Sequence, residues 1–451
     1  MVKGRKQGRL RSALLRASLL VLVSVAVLAA ANWLRLLNAV GIDNLLERQL
    51  LSFANHTVNR SIGESIRLVY LEEKGMAVLG NFADETGRQC LRGHHGDLLR
   101  KLKAAGARVV AFDFVFPPAI ATCADKSGAF AAAIRETSQD GRMRVVIGHD
   151  PAADIDGTIR AAAGEENLAL VRIGREQRDA ENKRLLTSVL LAEADEHPGR
   201  AGTVLGRPMP FALVLYLADR SNGSASVLPG LVPDEKEVTF TSSGPGMPAL
   251  KVDVRHCDRG ELNCPLAGDA ARHWYAFLPV WMGSGTAFVE RSYAGVVQQE
   301  TLGEDYRDKI VIVGARTTDE IVALGPDAAA GTVWGYQVHA RALADLQSDT
   351  YLRRPPAWVV IVFLFILVIV GVAARLWLPQ LEMRVSLPYV GSMPIPLGLI
   401  LAAVAHGFLM ILLMRQRYWL QDISYQLLAL AAGYYFASRP LLPQAVKGKP
   451  S

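Results

Sequence analysis

The sequence lacks the short motifs by which several large enzyme classes are recognised. It contains no glycine-rich phosphate loop of the P-loop form, no Gly-x-Ser-x-Gly nucleophile elbow and no His-Glu-x-x-His zinc motif. Aromatic residues make up only 7% of the chain, and no basic stripe with interleaved aromatics runs through its middle. We therefore expect no P-loop, serine-hydrolase or zinc-protease chemistry, no nucleic-acid binding and no cofactor.

Charge is nearly absent from four blocks of the chain. The first three approach or reach the roughly 20 residues with which a helix spans a bilayer. The fourth is shorter and polar at its leading end, but Trp419, Tyr434 and Tyr435 supply aromatic residues of the kind found at membrane interfaces. The sequence predicts transmembrane helices at residues 13–31, 357–376, 394–414 and 420–438.

Basic residues set the predicted orientation of these spans. Residues 1–12 carry five Lys or Arg side chains and no acid, which favours a cytoplasmic N-terminus. Residues 32–356 then form a large domain outside the membrane, and residues 439–451 a short cytoplasmic tail. Arg415 and Arg417, in the short outer loop, are exceptions to this pattern. Ala29–Ala31 resemble a signal-peptide cleavage site, but the apolar stretch before them is longer than a signal peptide needs, which favours an anchor.

Cysteine is scarce, and its placement agrees with this topology. All four cysteines lie in the segment predicted to be outside, where an oxidising compartment allows disulfides. The short loop between Cys257 and Cys264 favours that pair and leaves Cys90 with Cys123. A zinc site with His94, His95 and His256 is the alternative. The Cys-x6-Cys spacing matches no common zinc motif, so we predict disulfides and no metal.

The outer segment predicts an α/β fold with a mostly parallel sheet and flanking helices. A juxtamembrane helix is predicted at residues 33–53. Helical stretches follow at residues 96–106 and 127–139 and alternate with continuously apolar runs of strand length, as in a parallel sheet buried on both faces. The predicted strands are 65–71, 108–116, 143–148, 168–174 and 309–315, and residues 237–256 read as shorter antiparallel pieces.

Polar residues follow or interrupt several of these strands. In an open parallel sheet, ligands bind outside the carboxyl ends of the strands, so these side chains are candidates for a binding site. Asp113 has a second interpretation, in which it accepts backbone N–H bonds in the turn that Pro117 and Pro118 fix. The candidates at strand ends are Glu72, Glu73, Asp113, His149, Asp150, Gly314, Thr317, Thr318 and Asp319.

Three further features carry open alternatives. In GARTTDE, residues 314–320, Thr317 or Thr318 is predicted to cap a helix whose amides bind an anion, or to be an ordinary cap. His339 is a packing histidine, a candidate ligand-binding residue or a pH sensor. His94 and His95 are expected in a solvated loop before a helix at Gly96. His406 lies inside the third predicted span and is expected to face another helix.

Three stretches of the outer segment resemble the CHASE2 sensor domain, an extracytoplasmic module of bacterial receptors. They are KAAGARVVAFDFVFP, YRDKIVIVGARTTDE and GYQVHARALADL, within a resemblance that covers about residues 40–356. The family implies one span before the domain and three after it, in a bacterial inner membrane with the domain in the periplasm. The sequence departs from the family at Leu71–Glu73 and at CLRGHHGDLLRKL.

Receptors of this family commonly continue into a catalytic output domain, whereas only residues 439–451 follow the last predicted span here. We therefore expect a non-enzymatic sensor that binds a small molecule or detects a periplasmic condition. Its partners would be a separate cytoplasmic signalling protein and a second copy in a homodimer. The alternatives are a periplasmic hydrolase using Glu72, Asp113 and Asp150 around a cation, and a scaffold subunit of a membrane complex.

Overall fold

The structure is a computed structural model, which we describe over a defined set of residues. These are residues 63–72, 77, 79, 85–171, 174–178, 184–194, 209–220, 230–233, 237–241, 250–253, 255–256, 274–279, 288–317, 321–323, 332–348, 355–377, 382–387, 391–416, 418 and 423–438. The predicted first span, the juxtamembrane helix, Glu73, Cys257, Cys264, Thr318 and Asp319 lie outside this set. The chain divides into two compact units, Ser52–Leu352 and the remainder.

The first unit contains strands and helices in alternation, followed by a strand-rich stretch. Its first half comprises β1 (Ile66–Leu71), α1 (Glu85–Cys90), α2 (Arg92–Ala104), β2 (Val109–Val115), α3 (Ala124–Ser138), β3 (Arg144–His149), α4 (Gly157–Ala163), β4 (Leu168–Leu170), β5 (Gly174–Arg178), β6 (Arg184–Ala194) and β7 (Met209–Pro210). Its second half comprises α5 (Phe211–Arg220), β8 (Gly230–Pro233), β9 (Glu237–Thr241), β10 (Leu250–Asp253), β11 (Arg255–His256), β12 (Trp274–Pro279), β13 (Val289–Ser292), α6 (Tyr293–Gln298), β14 (Ile310–Ala315), β15 (Ile321–Ala323), β16 (Thr332–Trp334) and α7 (Gly335–Gln347).

A seven-stranded parallel sheet forms the centre of this unit, in the order β13-β1-β14-β2-β3-β4-β7. The prediction of a parallel α/β fold is confirmed. The fourth predicted strand is shorter than expected, since β4 ends at Leu170. The antiparallel pieces also form, with β8, β9 and β10 in a three-stranded sheet. Strands β11, β12, β6, β15 and β16 make another sheet, to which β5 adds by pairing with β6.

Helices cover both faces of the parallel sheet. Alternate residues of one strand serve opposite layers: Val109 and Ala111 pack with α5 and α7, whereas Val110 and Phe112 pack with α2 and α3. Both sets are fully buried. Burial on two faces explains why the strands are apolar at nearly every position, because a residue on either side of the pleat enters a core.

The second unit contains apolar helices and a β-hairpin. Its described elements are α8 (Ala357–Trp377), β17 (Glu382–Leu387), β18 (Gly391–Pro396), α9 (Leu397–Arg415) and α10 (Ile423–Ser438). Two helices in the described chain, at Trp358–Trp377 and Leu397–Met414, are long and apolar enough to cross a membrane. The third span was predicted to begin at residue 394. Residues 394–396 instead belong to β18, and helix α9 begins at Leu397. Helix α10 has 16 residues and falls short of that length, so a fourth span stays a prediction.

Helices α8 and α10 approach closely at two glycines. A Cβ atom on Gly371 would overlap the carbonyl oxygen of Leu430, and one on Gly433 would overlap that of Val368. Such contacts let helix backbones pack directly against each other, as small residues do in membranes. His406 of α9 also contacts α10, with its Nε2 2.8 Å from Oε1 of Gln426. The prediction that His406 faces another helix is confirmed.

We expect Gly371→Leu to destabilise this helix pair, because the new side chain has no space against Leu430. Overpacking of this kind costs about 1–3 kcal/mol. The measurement is the thermal aggregation midpoint of the full chain in detergent, which should fall. Gly407→Leu is the matched control, since a Cβ there meets nothing within 4 Å. Equal midpoints for the two variants would contradict the close approach.

Candidate functional site

The carboxyl ends of the parallel strands bring several candidate residues to one edge of the sheet. Glu72 follows β1, Thr317 lies two residues beyond β14, and His149 ends β3. Because β14 lies between β1 and β2, these ends are neighbours around Asp113. We call this side of the sheet the carboxyl edge.

Asp113 lies where the hydrogen-bond ladder of β2 is interrupted. Pairing with β14 stops at Phe112, and the register with β3 shifts between Phe112 and Val115. Opposite this bulge is Gly148, where a Cβ would lie 2.6 Å from the carbonyl oxygen of Phe114. Bulges re-aim side chains and disturb the ladder locally. This irregularity is how a continuously apolar strand accommodates an acid in its middle.

Asp113 contacts His339 of α7, and both side chains are buried. Oδ1 of Asp113 is 3.5 Å from Nε2 of His339, with 6% and 1% of the side chains exposed. The ring of His339 also approaches the carbonyl oxygen of Val171 at 3.3 Å and stacks near Phe211 at 4.9 Å. Burial raises the pKa of Asp113 to about 8, so this carboxyl group is mostly protonated at neutral pH.

The interpretation of Asp113 as a turn cap is wrong. Among the described contacts its polar partner is His339, whereas a cap would accept backbone N–H bonds. The two candidates that the structure brings together are therefore Asp113 and His339. The described contacts do not join Glu72, His149, Asp150 or Thr317 to this pair. Asp150 instead accepts a bond from the backbone N–H of Ala152, 3.0 Å away, in the turn after β3.

A second polar cluster at the carboxyl edge was not predicted from the sequence. Its centre is Arg316, directly after β14, which forms an ion pair with Glu290 of β13 and donates from Nε to the Tyr336 hydroxyl at 2.9 Å. The guanidinium group also lies over the ring of Tyr70, 3.6 Å from its centroid. Arg316 is only partly buried, with 25% of its side chain exposed, so this cation remains accessible.

Gln337 connects this cluster to the start of α7. Its Nε2 donates to Glu290 Oε1 at 2.6 Å, and its Oε1 accepts from the backbone N–H of Trp334 at 2.9 Å, which caps the helix. Gly314 lets α7 approach the sheet, because a Cβ there would overlap Tyr336. The first turn of α7 is therefore bound to the carboxyl edge by Tyr336, Gln337 and His339.

The predicted helix after GARTTDE is absent from the described chain. Residues Ile321–Ala323 form strand β15, so the chain after Thr317 does not continue into the expected helix N-terminus. The functional group that this stretch contributes is the side chain of Arg316. A sequence signal for it existed, since Arg316 directly follows an apolar strand, but its partner Glu290 lies on another strand.

His94 and His95 were predicted to lie in a solvated loop, and this prediction is wrong. Helix α2 already begins at Arg92, and His95 is 2% exposed. Its Nδ1 is 2.6 Å from the Tyr293 hydroxyl, and four phenylalanine rings surround it at centroid distances of 5.2–5.6 Å. Burial lowers the pKa of His95 to about 3, so it is neutral at physiological pH. Its role is packing.

Arg92 forms a buried polar cluster between α2, α3 and α4. Nη1 donates to Asp156 Oδ2 at 2.9 Å and to Ser127 Oγ at 2.5 Å, and Nη2 donates to the carbonyl oxygen of Pro117. Asp156 also caps α4 through the backbone N–H of Thr158, 3.0 Å from its Oδ1. The cluster fixes the chain after β2 to three helices, and so positions the strand that carries Asp113.

The disulfide prediction is confirmed for Cys90 and Cys123, whose Cα atoms are 4.9 Å apart. This bond links the end of α1 to the turn before α3. The predicted pair Cys257–Cys264 lies outside the described residues. Within the described part of the chain, no group of three or more His, Cys, Asp or Glu residues is arranged to hold a metal ion.

We expect alkylation of the denatured, non-reduced protein to leave Cys90 and Cys123 unlabelled, because both sulfur atoms are in the disulfide. Peptide mass spectrometry after labelling with iodoacetamide measures this directly. Reduction before alkylation is the control and should label both residues completely. Labelled Cys90 in the non-reduced sample would contradict the pairing.

One comparison with known proteins gives a match. The family model of the CHASE2 domain matches residues 19–374, which is more than half of the chain. No curated protein and no solved structure matches the sequence.

Proposed function

Since the chain belongs to the CHASE2 family, whose domains are extracellular sensors, we propose that it is a membrane-anchored sensor of the bacterial inner membrane. Its periplasmic domain binds a small molecule or responds to a periplasmic condition at the carboxyl edge. The apolar helices pass the change to a separate cytoplasmic signalling protein. In this proposal the chain itself is not an enzyme, and its working form is a homodimer.

The observation that carries the proposal is the position of α7. Its first turn is bound at the carboxyl edge through the contacts of Tyr336, Gln337 and His339. Its last residue, Gln347, lies at the opposite edge, where its Oε1 accepts a bond from Ser65 Oγ at 2.8 Å. After residues 348–356 the chain enters α8. One helix therefore connects the polar edge to the segment that leads to the apolar helices.

The chemistry of the carboxyl edge suits recognition of a small polar molecule. Arg316 and Glu290 present a cation and an anion that are both partly exposed, next to the aromatic rings of Tyr70 and Trp334. Small-molecule sites typically combine apolar and aromatic walls with a few fixed polar groups. A ligand that displaces Glu290 from Arg316 would shift the carboxylate to which Gln337 donates and so act on the start of α7.

The test of binding uses the full chain in lipid nanodiscs and a panel of amino acids, organic acids, sugars and nucleosides. We expect at least one class to raise the unfolding midpoint of the wild type, and this rise to be lost in Arg316→Ala. Arg135→Ala is the matched control, because Arg135 is exposed in the last turn of α3, a helix that carries none of the residues named at the carboxyl edge. The absence of any stabilising compound would count against small-molecule sensing.

The test of signalling compares proteins that copurify with the full chain from native membranes. We expect a cytoplasmic kinase, cyclase or similar protein whose activity differs between the wild type and Arg316→Ala. Identical activity with both forms would contradict transmission through α7.

A third measurement uses generic esters and phosphates with Mg²⁺. Turnover that Asp113→Asn abolishes would replace the sensor proposal by the hydrolase alternative.

A further inference from the structure

The carboxyl group of Asp113 lies inside the domain without a hydrogen-bond donor in the described chain. Only 6% of its side chain is exposed, and its described polar contact is Nε2 of His339, 3.5 Å away. A buried carboxylate normally has donors or a cation beside it. An exposure this small lets water and protons reach the group but leaves no surface for an organic ligand. The ligand that fits Asp113 is therefore a proton.

His339 covers this carboxyl group and is itself buried. Its Nε2 lies 3.5 Å from Oδ1 of Asp113 and 3.3 Å from the carbonyl oxygen of Val171. A neutral imidazole nitrogen carries one hydrogen at most, so it cannot donate fully to both oxygens. A protonated Asp113 avoids this competition, because its O–H is itself a donor. A charged Asp113 can only accept, and two acceptors then share one donor.

Charged groups on the surrounding elements of the described chain do not compensate Asp113. On the strands these groups are Glu72 after β1, Arg316 after β14, His149 at the end of β3, and Arg184 and Glu193 of β6, whereas β16 carries none. On the helices they are Asp219 of α5 and the pair Arg341–Asp345 of α7, 3.1 Å apart. Burial is the cause that raises the pKa of Asp113, and none of these groups lowers it.

The buried position of Asp113 links its proton to any movement that exposes it. Burial raises its pKa to about 8, whereas a carboxyl group in water ionises at about pH 4. Between these two values the closed form is protonated and the open form is ionised, so opening releases one proton. Opening therefore becomes more favourable by up to about tenfold for each pH unit in this window. Above about pH 8 both forms are ionised, and the dependence ends.

The element that must move to expose Asp113 is α7, because His339 in its second turn lies over the carboxyl group. The remaining described side-chain bonds of this end of the helix run from Tyr336 to Arg316 and from Gln337 to Glu290. Both bonds are only part-buried, so water can replace them. The Asp113–His339 contact is the buried one.

From this geometry we propose that protonation of Asp113 is a switch. The protonated carboxyl group holds the first two turns of α7 on the sheet, and loss of the proton releases them as the pH rises toward 8. The inference rests on the proposed function, because it names pH as the periplasmic condition that the carboxyl edge detects. Released turns of α7 would then act on residues 348–356, which follow the same helix.

The experiment measures hydrogen exchange of α7 by mass spectrometry, with the full chain in lipid nanodiscs. Each rate is divided by the intrinsic exchange rate at the same pH, which gives the protection factor. For residues 335–341 of the wild type we expect this factor to fall by up to about tenfold per pH unit and to level off at about pH 8. Helix α2 should stay protected at the same exchange times. An equal fall in α2 would mean that the whole domain opens, and would overturn a local switch.

Asp113→Asn should remove the pH dependence and keep α7 protected throughout, because an amide does not ionise. Asp154→Asn is the matched control and should keep the wild-type slope, since Asp154 is exposed on the loop before α4. His339→Gln should also keep the slope, because the buried carboxyl group remains. A slope that survives Asp113→Asn but is lost in His339→Gln would assign the proton to the histidine and overturn the inference.

Infrared difference spectroscopy of the wild type covers the case in which Asp113→Asn does not fold. We expect the C=O band of a protonated carboxyl group to persist at neutral pH and to disappear as the pH rises above about 8. Absence of this band at neutral pH would overturn the inference.

The activity of the copurified partner separates this inference from the proposed function. Protection of α7 that is independent of pH would overturn the switch, while ligand binding and signalling, measured at one pH, would still stand. A pH-dependent α7 with equal partner activity at acidic and alkaline pH would uphold the switch and contradict the signalling. These two failures are therefore distinguishable.

Discussion

Replacement of Arg92 by methionine is expected to destabilise the CHASE2 domain by about 3–5 kcal/mol, the usual cost of removing one partner from a buried ion pair. Arg92 and Asp156 are 2% and 8% exposed, so neither group is solvated by bulk water. Methionine fills a similar volume but leaves the carboxylate of Asp156 without its cation. The variant also loses the bonds to Ser127 and to the carbonyl oxygen of Pro117.

The measurement is denaturant unfolding of the full chain in nanodiscs, followed by tryptophan fluorescence. Arg100→Met is the matched control on the same helix. Arg100 pairs with Asp97 and Glu136, but 42% of its side chain is exposed, and exposed pairs contribute less than about 1 kcal/mol. A loss in Arg92→Met no larger than that in Arg100→Met would contradict the assignment of a buried ion pair.

Replacement of Asp113 by asparagine is expected to stabilise the domain at alkaline pH. The pKa of Asp113 lies at about 8 in the folded protein, against 3.8 for an ordinary aspartate, because burial disfavours its charged form. The folded state therefore binds the proton more tightly than the unfolded state does. Stability contributed by this proton is present below about pH 4 and is lost as the pH rises to about 8.

Asparagine does not ionise, so Asp113→Asn removes this loss. The difference between the two pKa values corresponds to at most about 6 kcal/mol, and relaxation of the site makes about 2–4 kcal/mol the expected gain at pH 9. At pH 4 the wild type and the variant should have similar free energies of unfolding. Asp154→Asn is the control, because Asp154 is exposed on the loop before α4. A gain in Asp113→Asn that is independent of pH would contradict a buried, neutral carboxyl group.

The strands of the parallel sheet were predictable because each is buried on both faces. Continuous apolar runs such as residues 309–315 therefore marked β14 to within one residue. The start of α2 was not predictable. Its N-cap position is Leu91, and no side chain caps the helix there. Without Ser, Thr, Asp or Asn at that position, no capping residue indicates that the helix begins before Gly96.

The carboxyl edge was predictable as a place but not as a set of contacts. Parallel strands place their carboxyl ends together, so Asp113 was correctly located at this edge. The ion pair of Arg316 with Glu290 depends on strand order, because β13 lies next to β1 at the edge of the sheet. Strand order comes from long-range packing, which local sequence patterns do not encode. His339 acquired its partner in the same way, through the position of α7 across the sheet.

The position of β1 between β13 and β14 has a consequence for how the domain forms during synthesis. Strand β1 is synthesised long before its neighbours, since both come from residues 289–315, more than 200 residues later. Until that segment is made, Ile66–Leu71 lacks its parallel partners on both sides, and unpaired strand edges are prone to aggregation. Folding that depends on distant pairings is also slow. The parallel sheet therefore cannot close around β1 until the last part of the domain has been synthesised.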